Sequence, residues 1–129
     1  MKYDLLVAEA RNALQKAYAP YSKFKVGAAL LAKSGKIYSG ANIENAIYRA
    51  THAEKFALDT AVFNGEKEFE AIAVAVDGKP AFPCGQCLQD LTEFDDGKLV
   101  VLATNLERVV EKSTLAKLFP KRFGPKNLK

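Results

Sequence analysis

Ala71-Ile72-Ala73-Val74-Ala75-Val76 decides the fold of this chain. Six consecutive apolar residues, β-branched at alternate positions, fit a short strand covered on both faces, which places it in the middle of a sheet. Downstream, the Pro-rich loop 79–83 leads to a helix that begins near Cys84 and ends before Asp95-Asp96-Gly97, and 98–103 repeats the buried-strand pattern. Residues 108–112 add an edge strand and 114–119 a short terminal helix. Upstream, Ala53, Ala57 and Ala61 recur every four residues, and Asn64-Gly65 supplies a stop, so 52–62 is expected to be helical. Two strands, 25–32 and 37–43, are joined by the turn Lys33-Ser34-Gly35-Lys36 as an antiparallel hairpin. Residues 2–18 contain no Gly or Pro and carry Leu6, Ala10, Ala13 and Ala17 on one helical face, with Pro20 ending the helix. The resulting order, αββαβαβ(β)α, predicts an α/β fold: a three-layer α/β/α sandwich around a mixed central sheet of about five strands.

The 129 residues are enough for a single domain, 1–129, with a real core, since domains commonly run to about 100 to 150 residues. Hydrophobic residues at 49% and charged residues at 26% exclude a disordered chain. No apolar run approaches the roughly 20 residues needed to span a membrane, so no membrane partner is expected. Met1-Lys2-Tyr3-Asp4 has an early acid and no apolar signal core, which makes the cytoplasm the expected compartment. Nineteen basic against fifteen acidic side chains give a net charge of +4. Much of the excess lies in 117–129, which reads as a solvated terminus rather than a nucleic-acid footprint.

Chemistry concentrates in two short motifs. Cys84 and Cys87 are the only cysteines, two residues apart in Pro83-Cys84-Gly85-Gln86-Cys87, and in a reducing compartment that spacing means a metal or redox site before a disulfide. His52, the only histidine, opens His52-Ala53-Glu54 about thirty residues earlier. Each motif alone is weak: the cysteine pair fits a structural metal or a redox couple, and His-x-Glu is commonly a polar pair at a helix start. Together they form H-x-E followed by P-C-x-x-C, the signature of zinc-dependent nucleobase deaminases. Residues three apart at a helix start share a face, so Cys84 and Cys87 can bind one ion, and His52 completes three protein ligands. Three ligands leave tetrahedral Zn2+ an open position for water, whose pKa zinc lowers to about 7. Glu54, two residues past the ligand, is then the candidate catalytic proton shuttle and not a ligand. Both segments open helices, whose positive N-terminal ends favour thiolate over thiol.

Beyond the two motifs, the sequence resembles the short-chain cytidine deaminase family over about 17–123. The resemblance rests on Tyr18-Ala19-Pro20-Tyr21-Ser22-Lys23-Phe24-Lys25-Val26-Gly27-Ala28-Ala29-Leu30, on Asn42-Ile43-Glu44-Asn45, on Cys84-Gly85-Gln86-Cys87-Leu88-Gln89 and on Leu118-Phe119-Pro120-Lys121-Arg122-Phe123. It implies a cytidine deaminase-like fold and an enzyme of pyrimidine salvage. The implied reaction is hydrolysis of cytidine or deoxycytidine to uridine or deoxyuridine with release of ammonia. It further implies that Asn42 and Glu44 bind the sugar hydroxyls, that Phe24 packs near the nucleoside, and that the Ala53 backbone N–H meets the base carbonyl. Tyr48 and Phe123 would reach the site of a neighbouring subunit in a homotetramer.

Four departures from the family pattern stand out. Short members commonly have a third cysteine where this chain has His52, and arginines where it has Lys55 and Leu88. Three thiolates on a divalent ion leave one net negative charge, whereas two thiolates and a neutral imidazole leave none, so arginine compensation becomes unnecessary. The segment 48–54 is also one residue shorter.

Overall fold

The computed structural model describes residues 2–129. Along the chain run α1 (Asp4–Leu14), β1 (Val26–Ala32), β2 (Ile37–Ala41), β3 (Ile43–Glu44), β4 (Ala50–Thr51), α2 (Ala53–Phe63), β5 (Phe69–Val76), α3 (Gly85–Thr92), β6 (Val100–Asn105), β7 (Val110–Thr114), α4 (Leu115–Leu118) and a closing 3-10 turn, Pro125–Asn127. The main sheet has the order β2-β1-β5-β6-β7, with β5 in the middle as its unbroken apolar run requires. β1 is antiparallel to both β2 and β5, β6 is antiparallel to β7, and only β5 and β6 are parallel, from Ala71↔Val100 to Val76↔Asn105. A parallel pair needs a long crossover, and α3 supplies it.

The alternation inside β5 explains the layers. Ala71, Ala73 and Ala75 face α1 and pack with Leu6, Val7, Ala10, Ala29 and Leu102. Ile72 faces the other way, into the cluster of Ala53, Ala57, Leu58, Leu91 and Leu99 beneath α2 and α3. Small side chains on one face and branched ones on the other set how closely each helix layer can approach. The three-layer α/β/α sandwich with a mixed sheet is the architecture that the alternation of elements predicted.

Two glycines mark the closest approaches. A methyl group on Gly27 of β1 would lie 2.3 Å from the Ala10 carbonyl oxygen and the Leu14 nitrogen of α1. On Gly40 of β2 it would lie 2.5 Å from the Ala53 carbonyl oxygen and 2.6 Å from the Ala57 nitrogen of α2. Backbone cannot swing aside as a side-chain tip can, so Gly40→Ala must lift the first turn of α2. We expect it to destabilise the chain by about 3 kcal/mol, read as a lower urea midpoint at an unchanged slope.

Several boundaries differ from the sequence reading, among them β6, which runs over Val100–Asn105 where 98–103 was expected, and three have a visible cause. α1 ends at Leu14 instead of continuing to 18, because Tyr18 turns out to pair with the β3 segment: its N–H donates to the Asn42 carbonyl at 2.9 Å and its carbonyl accepts from the Glu44 N–H at 2.9 Å. The second hairpin strand stops at Ala41 because Asn42 leaves the ladder, and Ile43–Glu44 pairs with Ala50–Thr51 in a small separate sheet. β7 starts at Val110, two residues later than expected, because Arg108 takes a left-handed turn (φ 73°) after β6.

Candidate functional site

Both chemical motifs fall at helix starts on the same side of the sheet. His52 is the extended N-cap residue of α2 and Cys84 that of α3, and neither side chain caps its own helix. His52 Nδ1 lies 3.3 Å from Cys87 Sγ and 3.5 Å from Cys84 Sγ, and the three donor atoms all lie within 4.8 Å of one another. A tetrahedral zinc ion with ordinary Zn–N and Zn–S bonds holds such atoms about 3.6 Å apart. One imidazole and two sulfurs at this spacing therefore fit Zn2+ in number, chemistry and distance.

Cys84 is exposed and Cys87 buried. Burial pushes the Cys87 thiol up from its ordinary value, and the nearby Glu54 and Cys84 push the same way. The favourable helix terminus that the sequence suggested is thus outweighed at Cys87 by desolvation. A bound cation would supply the charge that holds this sulfur as thiolate. Glu54, in the first turn of α2, is 6% exposed. Burial raises its carboxyl, opposed by its own backbone N–H, by His52 and by Cys87.

His52, Glu54 and Cys84, but not the buried Cys87, open onto a cavity of about 290 Å³ lined also by Phe24, Asn42, Glu44 and Ala53, with Val74, Val76 and Phe82 among its apolar walls. Placing a cavity beside the C-terminal end of β5 follows the general rule for sheets with parallel strands. Asn42 is fixed by two bonds: its Nδ2 donates to the Phe24 carbonyl at 2.8 Å and its Oδ1 accepts from the Val26 N–H at 3.0 Å. Glu44 is half-buried, and one carboxylate oxygen accepts from the Tyr21 and Ser22 N–H groups at 3.0 and 3.1 Å. Those bonds, the Ser22 hydroxyl foremost, hold the Glu44 carboxyl below its ordinary value.

Tyr48 and Phe123 do not line this cavity. Tyr48 is 85% exposed, has a left-handed backbone (φ 60°) and meets Tyr21 edge-on at 5.8 Å. Phe123 is 55% exposed, and its carbonyl accepts a bond from Gln89 Nε2 at 2.8 Å. Lys55 pairs with Asp59 at 2.7 Å, whereas Leu88 is packed into the core. An arginine at 88 would therefore have to bury its charge. The sequence reading missed Ser22 and Phe82 as lining residues. Ser22 stands inside a quoted motif, but nothing in its type distinguishes a buttress from an exposed turn residue.

Comparison with known proteins agrees with this geometry. The family model described as the cytidine and deoxycytidylate deaminase zinc-binding region matches residues 1–103. The cytidine deaminase of Sporosarcina psychrophila is 47% identical, covering 99% of this chain and 96% of its own length. That of Halalkalibacterium halodurans is 42% identical, covering 99% of this chain and 98% of its own. The crystal structure of cytidine deaminase from Burkholderia pseudomallei superposes with a TM-score of 0.90 at 42% identity, covering 95% of this chain and 100% of that one. With its zinc signature, its sheet order and relatives of this similarity along almost its whole length, the chain belongs to the cytidine deaminase family.

Proposed function

We propose that this chain hydrolyses cytidine and deoxycytidine to uridine and deoxyuridine, releasing ammonia, as a cytoplasmic enzyme of pyrimidine salvage. The observation that carries the reading is one cavity lined by His52, Cys84 and Glu54 together with a pair of sugar-suited groups, Asn42 and Glu44, with Cys87 completing the zinc-type donor set. His52, Cys84 and Cys87 are the residues that would hold Zn2+, and the ion supplies the Lewis acidity that makes water a nucleophile at neutral pH.

Glu54 takes the proton of the attacking water and delivers protons to the base nitrogen and the departing amine. Its burial suits that task, because a carboxyl raised toward neutrality both accepts and returns a proton. Ala53 is the first residue of α2, where backbone N–H groups have no acceptor within the helix, and it donates to the base carbonyl. Phe24 packs on the nucleoside, while Asn42 and Glu44 hydrogen-bond the sugar.

Tyr48 and Phe123 serve a neighbouring subunit within a homotetramer. Support for this comes from their exposure outside their own chain's cavity and from the further exposed apolar residues Tyr18, Tyr21, Ile43 and Ile47. Phe123→Ala is expected to raise KM roughly tenfold with zinc content unchanged. Its mixture with inactive Glu54→Gln subunits should recover activity above that of either alone.

The decisive assay is ammonia release from cytidine, deoxycytidine and a cytidine-containing oligonucleotide. Turnover of the two free nucleosides supports the proposal. Activity confined to the oligonucleotide overturns it in favour of an enzyme that edits polymers.

A further inference from the structure

Between the sugar-suited carboxylate and the aromatic wall lies one small side chain that the mechanism above does not use. The Ser22 hydroxyl donates to the second carboxylate oxygen of Glu44, Oε2, in a short hydrogen bond, and accepts the Phe24 N–H at 3.0 Å. The other carboxylate oxygen, Oε1, takes the N–H groups of Tyr21 and Ser22. Between Ser22 and Phe24, Lys23 has φ 62°, a left-handed conformation that a side-chain-bearing residue rarely adopts unless its surroundings enforce it. The turn is therefore tied at both ends through one hydroxyl.

We propose that Ser22 is a positioning residue for sugar recognition, locking the Glu44 carboxylate and the Phe24 wall into a single preformed unit. A carboxylate has about four lone-pair sites. Three are filled by Tyr21, Ser22 N–H and Ser22 O–H, so Glu44 has capacity for one further donor, on the same oxygen that Ser22 orients. A single sugar hydroxyl saturates it. Without the Ser22 hydroxyl, Oε2 loses its one protein donor, the Phe24 N–H loses its acceptor and the left-handed turn loses its brace. Binding of the nucleoside then pays to order all three. Ser22 hydrogen-bonds Glu44 and Phe24 and none of the metal donors, so the chemical step is left alone.

The inference rests on the proposed role of Glu44 in nucleoside binding. Its test uses Ser22→Ala and Ser22→Thr in the zinc-loaded, full-length enzyme. KM and kcat are measured with cytidine, along with competitive inhibition constants for uridine and for 2′,3′-dideoxyuridine, which lacks both secondary hydroxyls. Ser22→Ala is expected to raise KM for cytidine and weaken uridine about tenfold, leave kcat within about twofold and barely move dideoxyuridine. Ser22→Thr, which keeps the hydroxyl, should restore uridine binding.

Equal weakening of uridine and dideoxyuridine would show a merely structural role and overturn the proposal. So would a fall in kcat at constant KM, or failure of Thr to rescue. A native chain that releases no ammonia from cytidine would instead remove the functional reading beneath it, and this inference with it.

Discussion

Glu54→Gln should keep the zinc, the fold and the nucleoside affinity while turning over cytidine about 10⁴-fold more slowly than the native chain. The replacement is isosteric, and the amide can hydrogen-bond but cannot carry a proton between water and the base. Glu54 is 6% exposed, and its burial already disfavours the charged form, so a neutral amide at the same place should cost little stability and could add some. Measured together, kcat, zinc per chain and the thermal midpoint separate the outcomes. A loss of less than tenfold would mean that another group moves the protons. Loss of zinc would mean that Glu54 is a ligand or a support for one.

The second large effect is expected at Cys87. It is the buried member of the sulfur pair, 1% exposed and 3.3 Å from His52 Nδ1, so Cys87→Ala leaves only one sulfur and one nitrogen for the ion. Zinc should fall below about one-tenth of an ion per chain after dialysis, with deamination undetectable. The fold should survive. The cluster between α1 and the sheet contains no metal-donor residue, and the cluster beneath α2 and α3 is built from Ala, Leu, Val, Ile and Phe side chains. Cys87→Ala is therefore expected to unfold cooperatively at the midpoint of the chelator-treated native chain, below that of the zinc-loaded one, because a ligand bound only to the folded state raises stability by mass action. Added zinc should restore the chelated native chain and not the variant. If both unfolded outright without metal, the ion would be structural.

Much of the fold is legible in the sequence because a few segments have only one physical solution. Ala71–Val76 is too apolar for any edge, and its placement at the sheet centre follows. The every-fourth alanines of α2, all 0% exposed, had to face a close surface, which the Gly40 approach provides. His52, Cys84 and Cys87 were legible as one cluster because only those residue types at those spacings have a shared chemistry.

Other features were beyond local pattern. The end of α1 depends on Tyr18 finding backbone partners at Asn42 and Glu44, residues more than twenty positions away, and no local signal competes with the helical periodicity that runs on to Ala17. The break after Ala41 reflects an asparagine that bonds Phe24 and Val26 with its side chain, a tertiary event. A helix end near Cys87 favours thiolate, but the fold buries this sulfur deeply enough to outweigh it, and depth of burial is a tertiary property. Tyr48 and Phe123 stand outside the cavity of their own chain, and no local pattern in the sequence places an exposed aromatic relative to a cavity.

The proposed chemistry requires one imidazole and two thiolates to hold a zinc ion with room left for solvent. X-ray absorption at the zinc edge of the purified enzyme reads that shell. The expected shell is two sulfurs, one imidazole nitrogen and one light atom that nucleoside-like inhibitors can perturb. A shell filled by four protein donors, or folded protein that takes up no zinc when it is supplied, would contradict it.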